Sequence, residues 1–235
     1  MFIGKKIKYM QSNYENVVVN KPWGYEYLAY QNKDVALWLL FIKFEHETSL
    51  HCHPNKDTGL IVLDGKVNVS FLNDVFYLDS GRKIMIRKGL FHSTKTLSKE
   101  GAFVFEIETP VNKHDIVRLD DKYGRVAKPY EGKSYEEKKS SDCLWFEEPE
   151  KNLSNIYSFA NCKIKICSIS NYKQLLSIND YVNVMFLKGG IMCGKNKVAN
   201  PGDIIAAHII KRLLNTFRDI QEDTFILTIE SKQFI

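Results

Sequence analysis

Apolar residues in this chain occur in short runs that are interrupted by polar, turn-forming positions. In the first half the runs are rich in Val, Ile, Phe and Leu and are separated by Gly, Asn, Asp and Ser. They span 35–44, 60–63, 67–71, 75–78, 84–86 and 103–108. Runs of this length and spacing are typical of antiparallel strands. The pattern therefore predicts an all-β sandwich or barrel.

A polar, highly charged segment at 131–142 interrupts this pattern without helical or strand periodicity, as a linker or exposed loop would. Strand-like runs then resume at 162–169, 182–187, 191–193, 200–207 and 225–229. We therefore expect a first barrel over 1–130, a linker over 131–142 and a second domain over 143–235.

Three histidines in the first half have the spacing of a metal site. His51 and His53 are separated by one residue, so on a strand both imidazoles lie on the same face. His92 ends an apolar run that follows Gly89, and it could complete the site from a neighbouring strand. A single histidine is more often a structural residue, but these three together favour a shared divalent metal.

The His-x-His and Gly89-x-x-His92 sequences, with the Leu-Asp-Gly65 turn between strands and the spaced Gly81, resemble the cupin superfamily. The fold implied is a double-sheet, jelly-roll-type barrel. The resemblance also implies a divalent metal, for which zinc, manganese, nickel and iron remain open.

The second half has a weaker resemblance to the same superfamily. An apolar strand, the Leu187-Lys-Gly-Gly190 turn, a short strand and Pro201-Gly-Asp-Ile-Ile follow each other as in a cupin repeat. No His-x-His occurs there, and we interpret the isolated His208 as structural. The predicted architecture is two jelly-roll-type (cupin) barrels, the second degenerate and serving as a packing partner, dimer surface or lid.

The amino-acid composition and net charge exclude several classes of function for this protein. The 235 residues are 44% hydrophobic, enough for real cores, and no run approaches the length of a membrane span. The net charge of +5 comes from lysines and arginines scattered among 28 acidic residues, which favours anionic metabolites over nucleic acid. The odd number of cysteines, without a Cys-x-x-Cys pair, disfavours a disulfide framework and a zinc knuckle. We expect a cytoplasmic protein without a nucleic-acid or membrane partner, and a homodimer is possible.

Two segments that flank the predicted barrel indicate a narrower family. Asn20-Lys-Pro-Trp-Gly-Tyr-Glu26 precedes it, and Asp115-Ile-Val-Arg-Leu-Asp-Asp-Lys-Tyr-Gly-Arg125 follows it. Over roughly 20–126 the chain is similar to type II mannose-6-phosphate isomerases, including the isomerase domain fused to mannose-1-phosphate guanylyltransferases. The resemblance implies that a metal holds the open-chain sugar while a proton moves between C1 and C2 through an enediol.

The resemblance also suggests roles for individual residues. His51 stands at the position of the family's Gln ligand, and His53 and His92 stand at its two His positions. Thr58 replaces the family's Glu ligand, which puts catalysis in question.

A carboxylate from elsewhere could restore the missing ligand. Asp57 should point to the opposite face of its strand, so Glu106 is the preferred candidate. Glu106 and Glu108 are also candidates for moving protons, because a partly buried carboxylate near a metal can act as a general base. One of the two could be a fourth ligand and the other could face solvent.

Arg118 and Arg125 are candidate catalytic residues because their donor forks suit a phosphate or an enediolate oxygen. An equally weighted alternative is a structural brace, such as a pair between Arg118 and Asp121.

Lys21, Tyr25 and Thr58 are the candidate substrate-binding residues at the barrel mouth. For Trp23, a hydrophobic plug across the barrel end is the favoured interpretation.

Three functions fit these features. The first is a metal-dependent isomerase or epimerase of a phosphorylated or nucleotide-linked sugar, in the synthesis of surface-polysaccharide precursors. The second is a non-catalytic sugar-binding cupin, which the missing Glu and the degenerate second barrel would suit. The third is a three-His Fe(II) oxygenase.

Overall fold

A computed structural model describes residues 14, 16–126, 128, 130 and 143–231 of the chain. The predicted linker at 131–142 lies outside the described residues. Antiparallel strands dominate the described part, so the all-β prediction is confirmed. None of the helices in those ranges is long and apolar enough to cross a membrane.

The first half forms a barrel of two facing antiparallel sheets. One sheet has the strand order β1-β2-β3-β10-β5-β8, and the other has the order β11-β4-β9-β6-β7. The strands are β1 (Val18–Lys21), β2 (Gly24–Gln31), β3 (Ala36–Ile42), β4 (Leu50–Cys52), β5 (Asp57–Asp64), β6 (Lys66–Phe71), β7 (Val75–Asp79), β8 (Lys83–Ile86), β9 (His92–Thr96), β10 (Ala102–Thr109) and β11 (Val117–Asp120).

The second half forms a smaller unit of two sheets and two short helices. Its sheets have the orders β12-β13-β19-β14-β17 and β16-β15-β18. The elements are β12 (Ser154–Phe159), β13 (Cys162–Ile169), α1 (Tyr172–Leu176), β14 (Asn183–Lys188), β15 (Ile191–Cys193), β16 (Asn196–Ala199), β17 (Ile204–Ala206), α2 (Ala207–Leu214), β18 (Asp219–Ile220) and β19 (Thr224–Ser231).

The two halves share a topology. The order β2-β3-β10-β5-β8 of the first barrel corresponds, strand for strand, to β12-β13-β19-β14-β17 of the second. In chain order α1 stands where the first barrel has β4, so the smaller sheet of the second unit has no counterpart of the strand that carries His51. This replacement explains why the repeat has no His-x-His.

The two larger sheets pack against each other through a common hydrophobic core. On one side it includes Leu39, Ile61 and Phe105, and on the other Ile164, Met185 and Leu227, all fully buried. Alternate residues of β3, β5 and β10 point the other way, into the first barrel, where they form a separate core around Trp38. Each half therefore covers an apolar sheet face of the other.

Candidate metal centre

The strand pairing brings the three histidines together. His51 on β4 and His92 on β9 are direct cross-strand partners, and His53 follows two residues after His51 on the same face. The ring centroids lie 4.5–5.5 Å apart. All three side chains are buried.

Each imidazole is oriented by a backbone carbonyl. The Nδ1 atom of His51 lies 2.7 Å from the oxygen of Ser49, that of His53 lies 2.6 Å from the oxygen of Asp115, and that of His92 lies 3.0 Å from the oxygen of Leu90. A carbonyl oxygen can only accept, so each Nδ1 carries the proton and each Nε2 keeps its lone pair. Metal-binding histidines are typically held in this way.

Two carboxylates on β10 complete the cluster. Glu106 Oε1 lies 3.9 Å from His53 Nε2, and one ligand atom from each of His53, Glu106 and Glu108 lies within 4.8 Å of the others. Both glutamates are buried. The alternative in which one of them faces solvent is therefore not observed. Glu108 is the cross-strand partner of Thr58, so a carboxylate lies beside the position where the family has its Glu.

The sequence analysis did not predict a buried chain of alternating lysines and glutamates, which lines the same pocket as His51 and His53. Lys56 Nζ lies 2.5 Å from Glu108 Oε1, and Lys113 Nζ lies 3.7 Å from the same oxygen and 3.1 Å from Glu26 Oε1. Lys21 Nζ lies 3.5 Å from that Glu26 oxygen. Lys21 and Glu26 belong to the Asn20–Glu26 motif, but no motif marks Lys56, Glu108 or Lys113. The one signal for Glu108 is period-two spacing on β10, which places it on the same face as Glu106.

This arrangement shifts several pKa values. Burial and the neighbouring Glu108 raise the pKa of Glu106 to about 7. Burial would also raise the pKa of Glu26, but Lys113 and Lys21 lower it to about 2.

The imidazoles are held neutral. Burial lowers the pKa of His92 to about 4, and it lowers the pKa values of His51 and His53 well below the usual range, with Lys56 contributing to all three. The neutral form is the one that binds a metal.

The other predicted site residues divide into two groups. Lys21, Trp23, Arg118 and Arg125 line a narrow pocket of about 50 Å³ that reaches His51 and His53. Tyr25 does not line it, since its ring packs against Phe41 on the outer face of the sheet.

Thr58 and Asp57 also lie apart from the pocket lining. Thr58 is buried and its Oγ1 has no hydrogen-bond partner among the described residues. Asp57 points away from the histidines and accepts from the backbone N–H of Lys88.

The two arginines differ in how they are held. Arg125 forms a close ion pair with Asp121, with 2.7 Å between Nη2 and Oδ1. The structural ion pair with Asp121, which was an alternative for Arg118, is therefore formed by Arg125. Arg118 Nη1 donates to the carbonyl of Lys128 at 2.7 Å.

The residues fit a divalent metal on the chemistry of their donors. His51, His53 and His92 offer ligand nitrogens within 4.8 Å of one another, and tetrahedral bonds of about 2.0–2.1 Å require donors about 3.4 Å apart. The buried His53 Nε2 and Glu108 Oε2 have no hydrogen-bond partner among the described residues. Imidazole and carboxylate donors together suit zinc, manganese, iron or nickel.

Comparisons with known proteins show which family this barrel resembles. Residues 9–121, just under half of the chain, match the family described as "Mannose-6-phosphate isomerase C-terminal". Among curated proteins no sequence matches.

Solved structures match less than half of the chain at low identity. KdgF from Halomonas sp. is 15% identical over 39% of this chain and 84% of its own, with a TM-score of 0.37. A cupin-2 domain protein from Shewanella frigidimarina is 24% identical over 38% and 83%, with a TM-score of 0.34. CapF from Staphylococcus aureus is 17% identical over 44% of this chain and only 34% of its own, with a TM-score of 0.41. Residues 9–121 are therefore similar to the mannose-6-phosphate isomerase C-terminal family, which is a cupin-type domain.

Proposed function

We propose that the first barrel is a metal-dependent isomerase or epimerase of a phosphorylated or nucleotide-linked sugar, acting in the synthesis of surface-polysaccharide precursors. The observation that carries the proposal is the convergence of three buried imidazoles, each with Nδ1 turned to a carbonyl, beside two buried carboxylates. The family match supports a sugar as the substrate class.

His51, His53 and His92 would hold the metal through Nε2. When bound there, a divalent cation supplies Lewis-acid chemistry that polarises a sugar carbonyl. The carbonyls of Ser49, Asp115 and Leu90 keep the three rings in the orientation that this requires.

We assign the proton transfer to Glu106. Glu108 is held by the ammonium groups of Lys56 and Lys113, whereas no lysine or arginine lies within 4.0 Å of the Glu106 carboxylate in the described part of the chain. Glu106 is therefore the carboxylate that can accept a proton from the carbon beside the carbonyl and return it to the neighbouring carbon.

The anionic end of the substrate is assigned to Arg118 and Arg125. Both arginines line the pocket, and the ion pair with Asp121 orients the guanidinium group of Arg125. Lys21 and Lys113 add positive charge to the same wall, although Glu26 between them offsets part of it. A cationic pocket wall suits a phosphate or a diphosphate.

Two alternatives receive less support. A non-catalytic sugar-binding cupin would explain Thr58, but Glu106 and Glu108 return carboxylates to the cluster. A three-His oxygenase site needs no carboxylate beside its imidazoles, and here two are buried against them.

The test is turnover of a panel of hexose, pentose and heptose phosphates and nucleotide sugars, with added Mn²⁺, Zn²⁺, Ni²⁺ or Co²⁺. We expect one substrate to give an isomer or epimer, with solvent deuterium entering the carbon beside the carbonyl unless the proton is shielded. His53→Ala should abolish that product, and the exposed-site variant His208→Ala should retain it. Tight binding of one sugar without turnover anywhere on the panel would instead indicate the binding cupin.

A further inference from the structure

The second barrel has a pocket at the position that corresponds to the metal centre of the first. In the first barrel Glu106 pairs with Trp38 on β3 and with Leu60 on β5. In the second, Thr228 pairs with Lys165 on β13 and with Val184 on β14, the corresponding strands.

Both barrels have the same irregularity in their strand pairing, which establishes which residues of the two barrels correspond. The pairing of β10 with β5 shifts register next to the Asp64-Gly65 turn, and the pairing of β19 with β14 shifts at the matching place, next to Lys188-Gly189. Counted from these turns, Thr228 and Glu230 stand where the first barrel has Glu106 and Glu108.

The pocket there is much larger than the one at the metal centre. Its volume is about 340 Å³ against about 50 Å³, within the range of small-molecule sites. The difference follows from the fold, because the short helix α1 stands in place of β4. The lining includes Lys163, Lys165 and Cys167 of β13, Thr228 and Glu230 of β19, and Gln174 and Ser177 at α1.

The charge of this pocket favours an anion. Lys163 and Lys165 lie on one face of β13, and Glu230 is the one acidic residue among the lining residues that the structure describes. Glu230 is directly opposite Lys163, whereas Lys165 is opposite Thr228 and has no carboxylate within 4.0 Å among the described residues. Two lysines and one glutamate therefore give the described lining a net charge of +1, and hydroxyl and amide side chains are among its other members.

The same residues disfavour a metal. At the two positions equivalent to Glu106 and Trp38 the second barrel has a hydroxyl and an ammonium group, and an ammonium has no lone pair to offer. None of the described lining residues is a histidine.

We propose that this pocket, formed around Lys165, Lys163 and Thr228, binds the phosphate group of a sugar-sized phosphate monoester. The proposal depends on the second barrel alone and not on the metal or reaction of the first. Charged hydrogen bonds from an ammonium to phosphate, with the neighbouring hydroxyl groups, would hold the anion. Apolar residues such as Leu153 and Ile178 line the remainder of the pocket.

The test is calorimetric titration of the full, metal-stripped chain with mannose 6-phosphate, inorganic phosphate and mannose. We expect mannose 6-phosphate to bind, inorganic phosphate to bind more weakly and mannose not to bind. Lys165→Met should weaken the binding by about tenfold or more, because one charged hydrogen bond is lost. Lys195→Met, the same change at an exposed site outside the pocket, should leave it unchanged.

A second measurement localises the ligand. Cys167 lies in the pocket and Cys193 is exposed outside it, so mannose 6-phosphate should slow alkylation of Cys167 but not of Cys193. His53→Ala should leave both results unchanged. Loss of binding in His53→Ala but not in Lys165→Met would place the ligand in the first barrel and overturn the proposal. Absence of phosphate-dependent binding, or protection of neither cysteine, would also overturn it.

Discussion

Glu106→Gln should lower kcat for the sugar substrate by about 10²–10⁴-fold while the protein keeps its metal and its fold. Gln preserves the shape of Glu but cannot accept the proton. We expect this loss of kcat because the buried Glu106 carboxylate lies 3.9 Å from His53 Nε2 and is not held by the lysine that contacts Glu108. Turnover assays, with metal analysis of the same samples, measure both effects.

The matched control is Glu100→Gln, the same change at an exposed site, which should leave kcat unchanged. If Glu106→Gln lost the metal as well as the activity, Glu106 would be a ligand, and the proton-transfer role would be wrong. Unchanged kcat would contradict the role equally.

Lys56→Met should lower the free energy of unfolding by about 3 kcal/mol, because it leaves the buried Glu108 carboxylate without its closest counter-ion. Both partners are almost fully buried and lie 2.5 Å apart. Lys113 remains 3.7 Å from the same oxygen, which keeps the effect at the lower end of the range for broken buried pairs. For a chain of this size the expected decrease in Tm is about 6–12 °C.

Lys122→Met is the control, because Lys122 forms an ion pair with Glu47 at 2.8 Å on the surface. Its loss should change stability by less than about 1 kcal/mol. The double variant Lys56→Met/Glu108→Gln should recover part of the loss, since it also removes the unpaired charge. Equal effects of the two lysine variants would contradict the buried charge chain.

Much of the first barrel could be predicted from the sequence because strands alternate their side chains with a period of two. That period places His51 and His53 on one face, and the pairing of β4 with β9 adds His92. The same argument places Glu106 and Glu108 together. Tyr25 does not line the pocket because the second barrel covers the outer face of β2, which local alternation alone does not show.

The charge chain could not be predicted because its members come from separate elements. Lys21 ends β1 and Glu26 lies on β2, whereas Lys56 lies just before β5 and Lys113 lies between β10 and β11. They meet only after the sheets have formed, and lysines are usually exposed. In the second half, the turn pattern at 187–190 predicted the repeat correctly. It could not show that α1 replaces β4, which is what opens the larger pocket.

The most direct test of the metal centre is the metal content of freshly purified protein, measured by elemental mass spectrometry. We predict about one equivalent of a divalent transition metal in the wild type, consistent with one set of ligands. His53→Ala should contain almost none, and His208→Ala should match the wild type. A wild-type protein that neither contains nor takes up zinc, manganese, nickel or iron would contradict the central claim, as would a His53→Ala variant with the full content.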